Sequence, residues 1–184
     1  MSGSERTARL FFALWPDDRM QADLAAAVAS ALGTGEPLDG RLVPEANFHL
    51  TLAFLGSVPQ SRFEVLFDVG ARCAQSLPVG DAPIAITLDT LEHWRKPQVL
   101  VATSPAPPPA AVALAETLKR ALIEQGFTPD LKPFRVHATV ARKVRRVSGE
   151  LHIESVRWRF DSLHLVESRS GSTYSTVKKW VLDK

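Results

Sequence analysis

Cysteine, net charge and long apolar runs are all scarce in this sequence, and each shortage removes a class of protein. A single cysteine, Cys73, stands in 184 residues. No disulfide can close within the chain, which suits a reducing compartment. No apolar run approaches the ~20 residues of a membrane-spanning helix. The short run "RLFFALW" is cut by Pro16, Asp17 and Asp18, which speaks against a secretory signal. A cytoplasmic protein without membrane contact is expected. The net charge of +2 is too small to mark a nucleic-acid-binding chain by composition alone. There is no Gly-x-Ser-x-Gly elbow for a serine hydrolase. Nor is there a Walker-type phosphate loop for a nucleotide-driven kinase or ATPase.

What the chain does have is core-forming material. With 45% hydrophobic and 23% charged residues, a chain of this length can bury a stable core without disulfides or metal. Its charge is unevenly placed: Lys132, Arg135, Arg142, Lys143, Arg145 and Arg146 fall in one segment that holds no Asp or Glu. That segment could meet phosphates, although a solvated loop would look the same.

Element signals alternate along the chain. "ARLFFALWP" reads as a strand stopped by Pro16. Asp17 and Asp18 read as caps for an Ala-rich helix through "RMQADLAAAVASAL" that ends at Gly33. A connection from Gly33 to Pro44 leads to the strand "NFHLTLAFLG". A second helix is predicted over "QSRFEVLFDVGARCAQSL", where Phe63, Leu66, Phe67 and Gly70 recur at helical spacing. "IAITLDTLEHW" and "QVLVATS" read as strands joined by a turn. The biased segment "SPAPPPAA" is the best linker candidate, and its prolines can open the helix "AAVALAETLKRALIEQG", with a stripe of Val112, Ala115, Leu118 and Leu122. The strand "RVHATVAR" follows, then a basic loop and two terminal strands, "ESVRWRFDSLHLVES" and "YSTVKKWVL". Short strands interleaved with three helices predict an α+β fold rather than a parallel doubly wound sheet.

Two of these strands carry the same triplet, His49-Leu50-Thr51 and His137-Ala138-Thr139. Residues two apart in a strand share a face. His49 and Thr51 therefore point one way, while Leu50, Leu52 and Phe54 point to the core. The same parity sets His137 and Thr139 against Ala138 and Val140. The motifs stand half a chain apart, which is compatible with an internal duplication. A lone His-x-Thr would most simply be a structural histidine with a satisfied hydrogen bond. Two copies facing one cleft would supply a general base and a general acid, since imidazole titrates near ~6.5. Threonine hydroxyls and an arginine suit phosphoryl oxygens. Metal fits poorly, because threonine is a poor ligand and neither motif has a carboxylate or cysteine at ligand spacing.

The quoted stretches "RLFFAL", "NFHLTLAFLG", "PFRVHATVAR" and "YSTVKKW", in this order across nearly the whole chain, resemble the two-histidine (2H) phosphoesterase superfamily. More narrowly, the chain is similar to RNA 2′,3′-cyclic phosphodiesterases, also called 2′-5′ RNA ligases. The resemblance implies one bilobal domain over residues 1–184, with two antiparallel sheets around a central cleft, helices outside and one motif per lobe. It implies metal-independent hydrolysis of RNA 2′,3′-cyclic phosphate ends to 2′-phosphomonoesters, with no cofactor. His49 would be the proton donor and His137 the proton acceptor, with Thr51, Thr139 and Arg142 on the phosphate. Arg142 sits at an odd offset from His137, so the strand must end, bulge or twist there, or the side chain must reach round its edge. ATP-independent 2′-5′ joining of RNA ends and plain RNA-end binding are the alternatives. The expected partner is RNA with a cyclic phosphate end, and the chain is expected to act as a monomer. His93 and Trp94 are predicted to stand at a hairpin, read first as a packed turn, where the Trp could also stack on a base. Phe11 and Phe48 could flank the cleft, and His152 and His164 are read as structural or exposed.

Overall fold

Strand β1 (Thr7–Leu14) shows both sides of the molecule at once. Leu10, Phe12 and Leu14 enter the main core. Phe11 and Ala13, pointing the other way, join a small separate cluster with Val166, Trp15 and Tyr174. The two-residue period of a strand produces this division, and it separates a helix-covered face from a cleft face. The structure is a computed structural model that describes residues 5–33, 38–78, 80, 83–147, 151–170 and 173–182. Part of the connection from Gly33 to Pro44, residues 34–37, lies outside that set.

Among the described residues, nine strands form two antiparallel sheets and three α-helices pack on them, so the fold is α+β as expected. The first sheet has the order β3-β1-β8-β9, where β3 is Leu50–Pro59, β8 is Ser162–Arg169 and β9 is Thr173–Val181. The second has the order β2-β6-β5-β4-β7. Its strands are β2 (Arg41–Leu42), β4 (Ile84–Trp94), β5 (Val99–Thr103), β6 (His137–Arg142) and β7 (His152–Phe160). One His-Thr triplet belongs to β3 and the other to β6. The sheets are not the two halves of the chain, however, because the first gathers strands from both ends.

The helices cross between the sheets. Helix α1 (Asp18–Leu32) follows β1 of the first sheet but packs on β7 of the second. Its N-terminus is capped by Asp17, whose carboxylate accepts from the Met20 amide at 2.7 Å. Helix α2 (Phe63–Ala74) packs on β8 and β9, beside α3 (Pro109–Glu124), which also touches β3. The proline-rich segment thus carries the chain from β5 to a helix on the opposite sheet. Pro109 at the first helical position brings a φ already suited to the turn.

Two readings of the sequence are corrected here. "ESVRWRFDSLHLVES" is two strands in different sheets, split at Asp161. Phe160, Ser162 and Leu163 are all buried on either side of the break, so no change of polarity marks the crossing. Phe54 is 37% exposed instead of core. The register against β1 pairs Phe12 with Ala53 and Ala13 with Thr51, which leaves Leu52 as an extra residue. Leu52 and Ala53 are consequently both buried, and Phe54 emerges on the face of His49 and Thr51.

Close approach of α2 to β9 depends on Gly70. A Cβ there would lie 2.5 Å from the Trp180 ring. Gly70→Ala is expected to destabilise the protein by about 1–3 kcal/mol through overpacking, although alanine favours a helix by up to ~1 kcal/mol. Adding Trp180→Leu should remove most of that penalty in urea titrations. A Gly70→Ala protein more stable than the parent would contradict the packing described.

Candidate active site

The two sheets meet where β3 approaches β6. At that junction a cleft is lined by His49, Thr51, His137, Thr139 and Arg142, with Trp94, Pro97 and Val99 forming a less polar wall. Strand parity accounts for the His-Thr pairs, since Leu50, Ala138 and Val140 on the reverse faces are fully buried.

Arg142 reaches the cleft through a bulge. Against β5, Leu100 pairs with Ala141 and Val101 with Thr139, so Val140 is an extra residue in β6. Val140 and Ala141 are both fully buried, and the carbonyl of Val140 is taken by the Val43 amide at 2.8 Å. The bulge inverts the alternation and returns Arg142 to the face of His137 and Thr139. Of the routes open to an arginine at this offset, the bulge is the one used.

Each imidazole is held in the same way. His49 Nδ1 lies 2.6 Å from the Asn47 carbonyl oxygen, and His137 Nδ1 lies 2.9 Å from that of Arg135. A carbonyl oxygen only accepts, so each bond requires a proton on Nδ1. Nε2 is then the nitrogen left to the cleft. Neutral, it accepts a proton; in the imidazolium form, it donates one.

The surroundings of the two rings differ. His49 is enclosed by aromatic rings: Trp15 stacks on it at 4.9 Å and 3°, while Phe11 and Tyr174 each lie 5.1 Å away. Burial pushes its pKa down to about 4, against the Asn47 bond that raises it, and Arg142 and His137 lower it further. His137 faces a polar network. Its ring lies 4.8 Å from Trp94, and the Arg135 guanidinium sits 4.9 Å over the same indole. Glu92 accepts from Trp94 Nε1 at 2.8 Å, Thr103 Oγ1 at 3.1 Å and Arg135 Nη2 at 3.1 Å. The Trp94 N–H, above all, holds the Glu92 carboxyl below the usual carboxylate range. The pKa of His137 is lowered by burial first, and also by Arg135 and Arg142.

Several contributors escaped the sequence reading. Gln21, buried on α1, donates to the carbonyls of Ala46 and Phe48 at 3.1 and 3.2 Å and so braces the backbone that leads into His49. Trp15, Tyr174 and Glu92 reach the site from three strands or their ends. The one available signal was a polar glutamine on the apolar stripe of an Ala-rich helix. Phe11 packs against His49, whereas Phe48 is buried in the main core. His93 donates from Nε2 to the Val144 carbonyl at 2.9 Å. His164 is buried beside Ser162 and Thr176 at 3.2 and 3.4 Å, and its burial also pushes its pKa down to about 4. His152 is an exposed residue at the start of β7.

Known proteins resemble this chain over nearly its whole length. The chain is 27% identical over 180 residues, 95% of its length and 96% of the relative's, to the RNA 2′,3′-cyclic phosphodiesterase of Escherichia coli (strain K12). A crystal structure described as a phosphoesterase superposes with a TM-score of 0.85 at 25% identity, covering 97% of this chain and 100% of the other. The crystal structure of E. coli LigT complexed with 3′-AMP gives 0.84 at 25% identity, with the same 97% and 100% coverage. The sequence profile of the 2′-5′ RNA ligase superfamily matches residues 16–172, and the chain belongs to that superfamily.

Proposed function

We propose that this chain is an RNA 2′,3′-cyclic phosphodiesterase that opens the cyclic phosphate to a 2′-phosphomonoester by two-histidine acid/base catalysis. The observation that carries the reading is the pair of imidazoles in one cleft, each anchored through Nδ1, with Arg142 between their fields. His137 Nε2 takes a proton from water, whose oxygen attacks phosphorus opposite the 3′-oxygen. As that bond breaks, His49 Nε2–H gives its proton to the departing 3′-oxygen. Arg142 and the hydroxyls of Thr51 and Thr139 bind the non-bridging oxygens, where charge builds in the transition state. Trp94, Pro97 and Val99 provide a wall for the terminal nucleoside.

The same groups serve a second ring-opening, in which a 5′-hydroxyl replaces water as the nucleophile, gives its proton to His137, and forms a 2′-5′ linkage as the 3′-oxygen leaves, without ATP. The superfamily match favours keeping this second reading. The chain is taken to act as a single bilobal domain, as a monomer and in the cytoplasm. No helix among the described residues is long and apolar enough to cross a membrane.

The pKa directions set the pH response. Burial above all lowers the pKa of both rings, that of His49 to about 4, and so favours their neutral forms near pH 7. His137 is then ready as a base, and His49, whose protonation is opposed by burial first and by Arg142 after it, acts as the acid in the fraction of molecules that carry its proton, a fraction that the phosphate anion increases. A profile of kcat/KM that requires one ring neutral and one protonated is bell-shaped. Its flanks should lie at or below about 6.5, with activity falling as pH rises further. Arg142→Gln should raise the titration midpoints of both rings, read from their Cε1 protons by NMR. Unchanged midpoints would contradict the shared field.

The direct assay is incubation with an RNA ending in a 2′,3′-cyclic phosphate, in excess chelator. The expected product is a 2′-phosphate, and His49→Ala or His137→Ala should each lower turnover by about 10²–10⁴-fold. Retained turnover in either variant would defeat the assignment. A 3′-phosphate product would identify the wrong leaving oxygen, and loss of activity with chelator would point to a metal.

A further inference from the structure

The cleft face of the first sheet continues beyond the phosphate site to Phe54 and Arg9. Phe54 is 37% exposed and belongs to neither apolar cluster. The Arg9 guanidinium lies 4.8 Å over its ring. Arg9 is exposed, and no ion pair engages it among the described residues. An exposed phenylalanine and an uncommitted arginine contribute little to folding, yet the bulge at Leu52 turns Phe54 to the side of His49 and Thr51, and the alternation of β1 sets Arg9 on the same face as Phe11. Phe54 pairs across strands with Phe11, whose ring touches His49. Because Leu52 is the extra residue, Phe54 stands two register positions from Thr51, opposite Phe11 and Ala13 respectively, about 7 Å along the sheet at ~3.3 Å per residue.

Resting on the proposed reaction, the chemistry of the substrate supplies the occupant. A cyclic phosphate is the 3′ terminus of its RNA, so every further nucleotide extends in the 5′ direction and must leave the cleft. The wall at Trp94 accommodates the terminal nucleoside. We infer that Arg9 and Phe54 form a subsite for the nucleotide that precedes it, the base stacking on the Arg–Phe pair and the guanidinium meeting backbone phosphate. Guanidinium planes and aromatic rings are the groups on which unpaired bases stack. The similar pair on the second sheet, Arg135 over Trp94, is less suited to phosphate because Glu92 already neutralises it at 3.1 Å. The preferred substrate is therefore a single-stranded oligonucleotide rather than a mononucleoside cyclic phosphate.

The test compares kcat/KM for a nucleoside 2′,3′-cyclic phosphate with that for a short single-stranded RNA carrying the same end. The parent should favour the RNA. Phe54→Leu, which keeps apolar bulk without a π face, should lower kcat/KM for the RNA by about tenfold, mainly through KM. It should leave the mononucleotide rate unchanged, and Phe54→Tyr should restore the preference. Arg9→Gln should flatten the salt dependence of the RNA's log KM by about 0.7. Equal losses on both substrates, or an undiminished RNA preference, would overturn the subsite. If the parent cleaves neither substrate, the proposed reaction fails. Binding of a 3′-phosphorylated oligonucleotide, followed by fluorescence anisotropy, then decides the subsite separately: weaker binding to Phe54→Leu sustains it, and equal binding removes it.

Discussion

The orientation of two imidazoles governs this cleft, and each is set by a hydrogen bond to the backbone two residues upstream. Asn47 and Arg135 offer carbonyl oxygens at 2.6 and 2.9 Å, which selects the Nδ1–H tautomer and turns Nε2 to the cleft. Neither anchor uses a carboxylate. A carboxylate would hold the imidazolium strongly and raise its pKa, whereas a carbonyl orients the ring with a milder effect. Each ring is thereby left able to take or release a proton according to what enters beside it.

This geometry needs the backbone ahead of each histidine to be rigid, and the two sides achieve that differently. On the first sheet, Gln21 reaches from α1 to the carbonyls of Ala46 and Phe48, while Trp15, Phe11 and Tyr174 close around the ring. On the second, Arg135 both supplies the anchoring carbonyl and stacks on Trp94, with Glu92 tying the assembly to Thr103. Aromatic rings enclose His49; at His137 burial opposes protonation first, and the nearby cations Arg135 and Arg142 add to it. In the proposed division into acid and base, His49 works from its protonated form, which its buried surroundings make scarcer as pH rises.

The α+β class and the two His-Thr faces could be read from alternation and turn residues, because a strand's period of two assigns faces directly. Parity failed wherever the strand carried an extra residue. Alternation alone sends Phe54 to the core and Arg142 away from His137, whereas both lie on the cleft face. Both outcomes come from bulges, at Leu52 and at Val140, and in each case two consecutive apolar residues are buried where alternation allows one. Nothing in the residue types distinguishes such a pair from ordinary apolar sequence. The break at Asp161 was hidden for a related reason, since burial continues on both sides of it. Gln21, Trp15 and Glu92 act through long-range contacts, which a reading by local period does not see.

Two-histidine catalysis in this cleft requires both rings to present Nε2 to the same phosphate. Nitrogen-15 NMR of the imidazoles, recorded above pH 7 and again with inorganic phosphate bound, tests this most directly. The predicted result is the Nδ1–H tautomer for both His49 and His137 in the free protein, and movement of the Nε2 resonances of both when phosphate binds. An Nε2–H tautomer at either histidine, or a response confined to one ring, would contradict the paired arrangement.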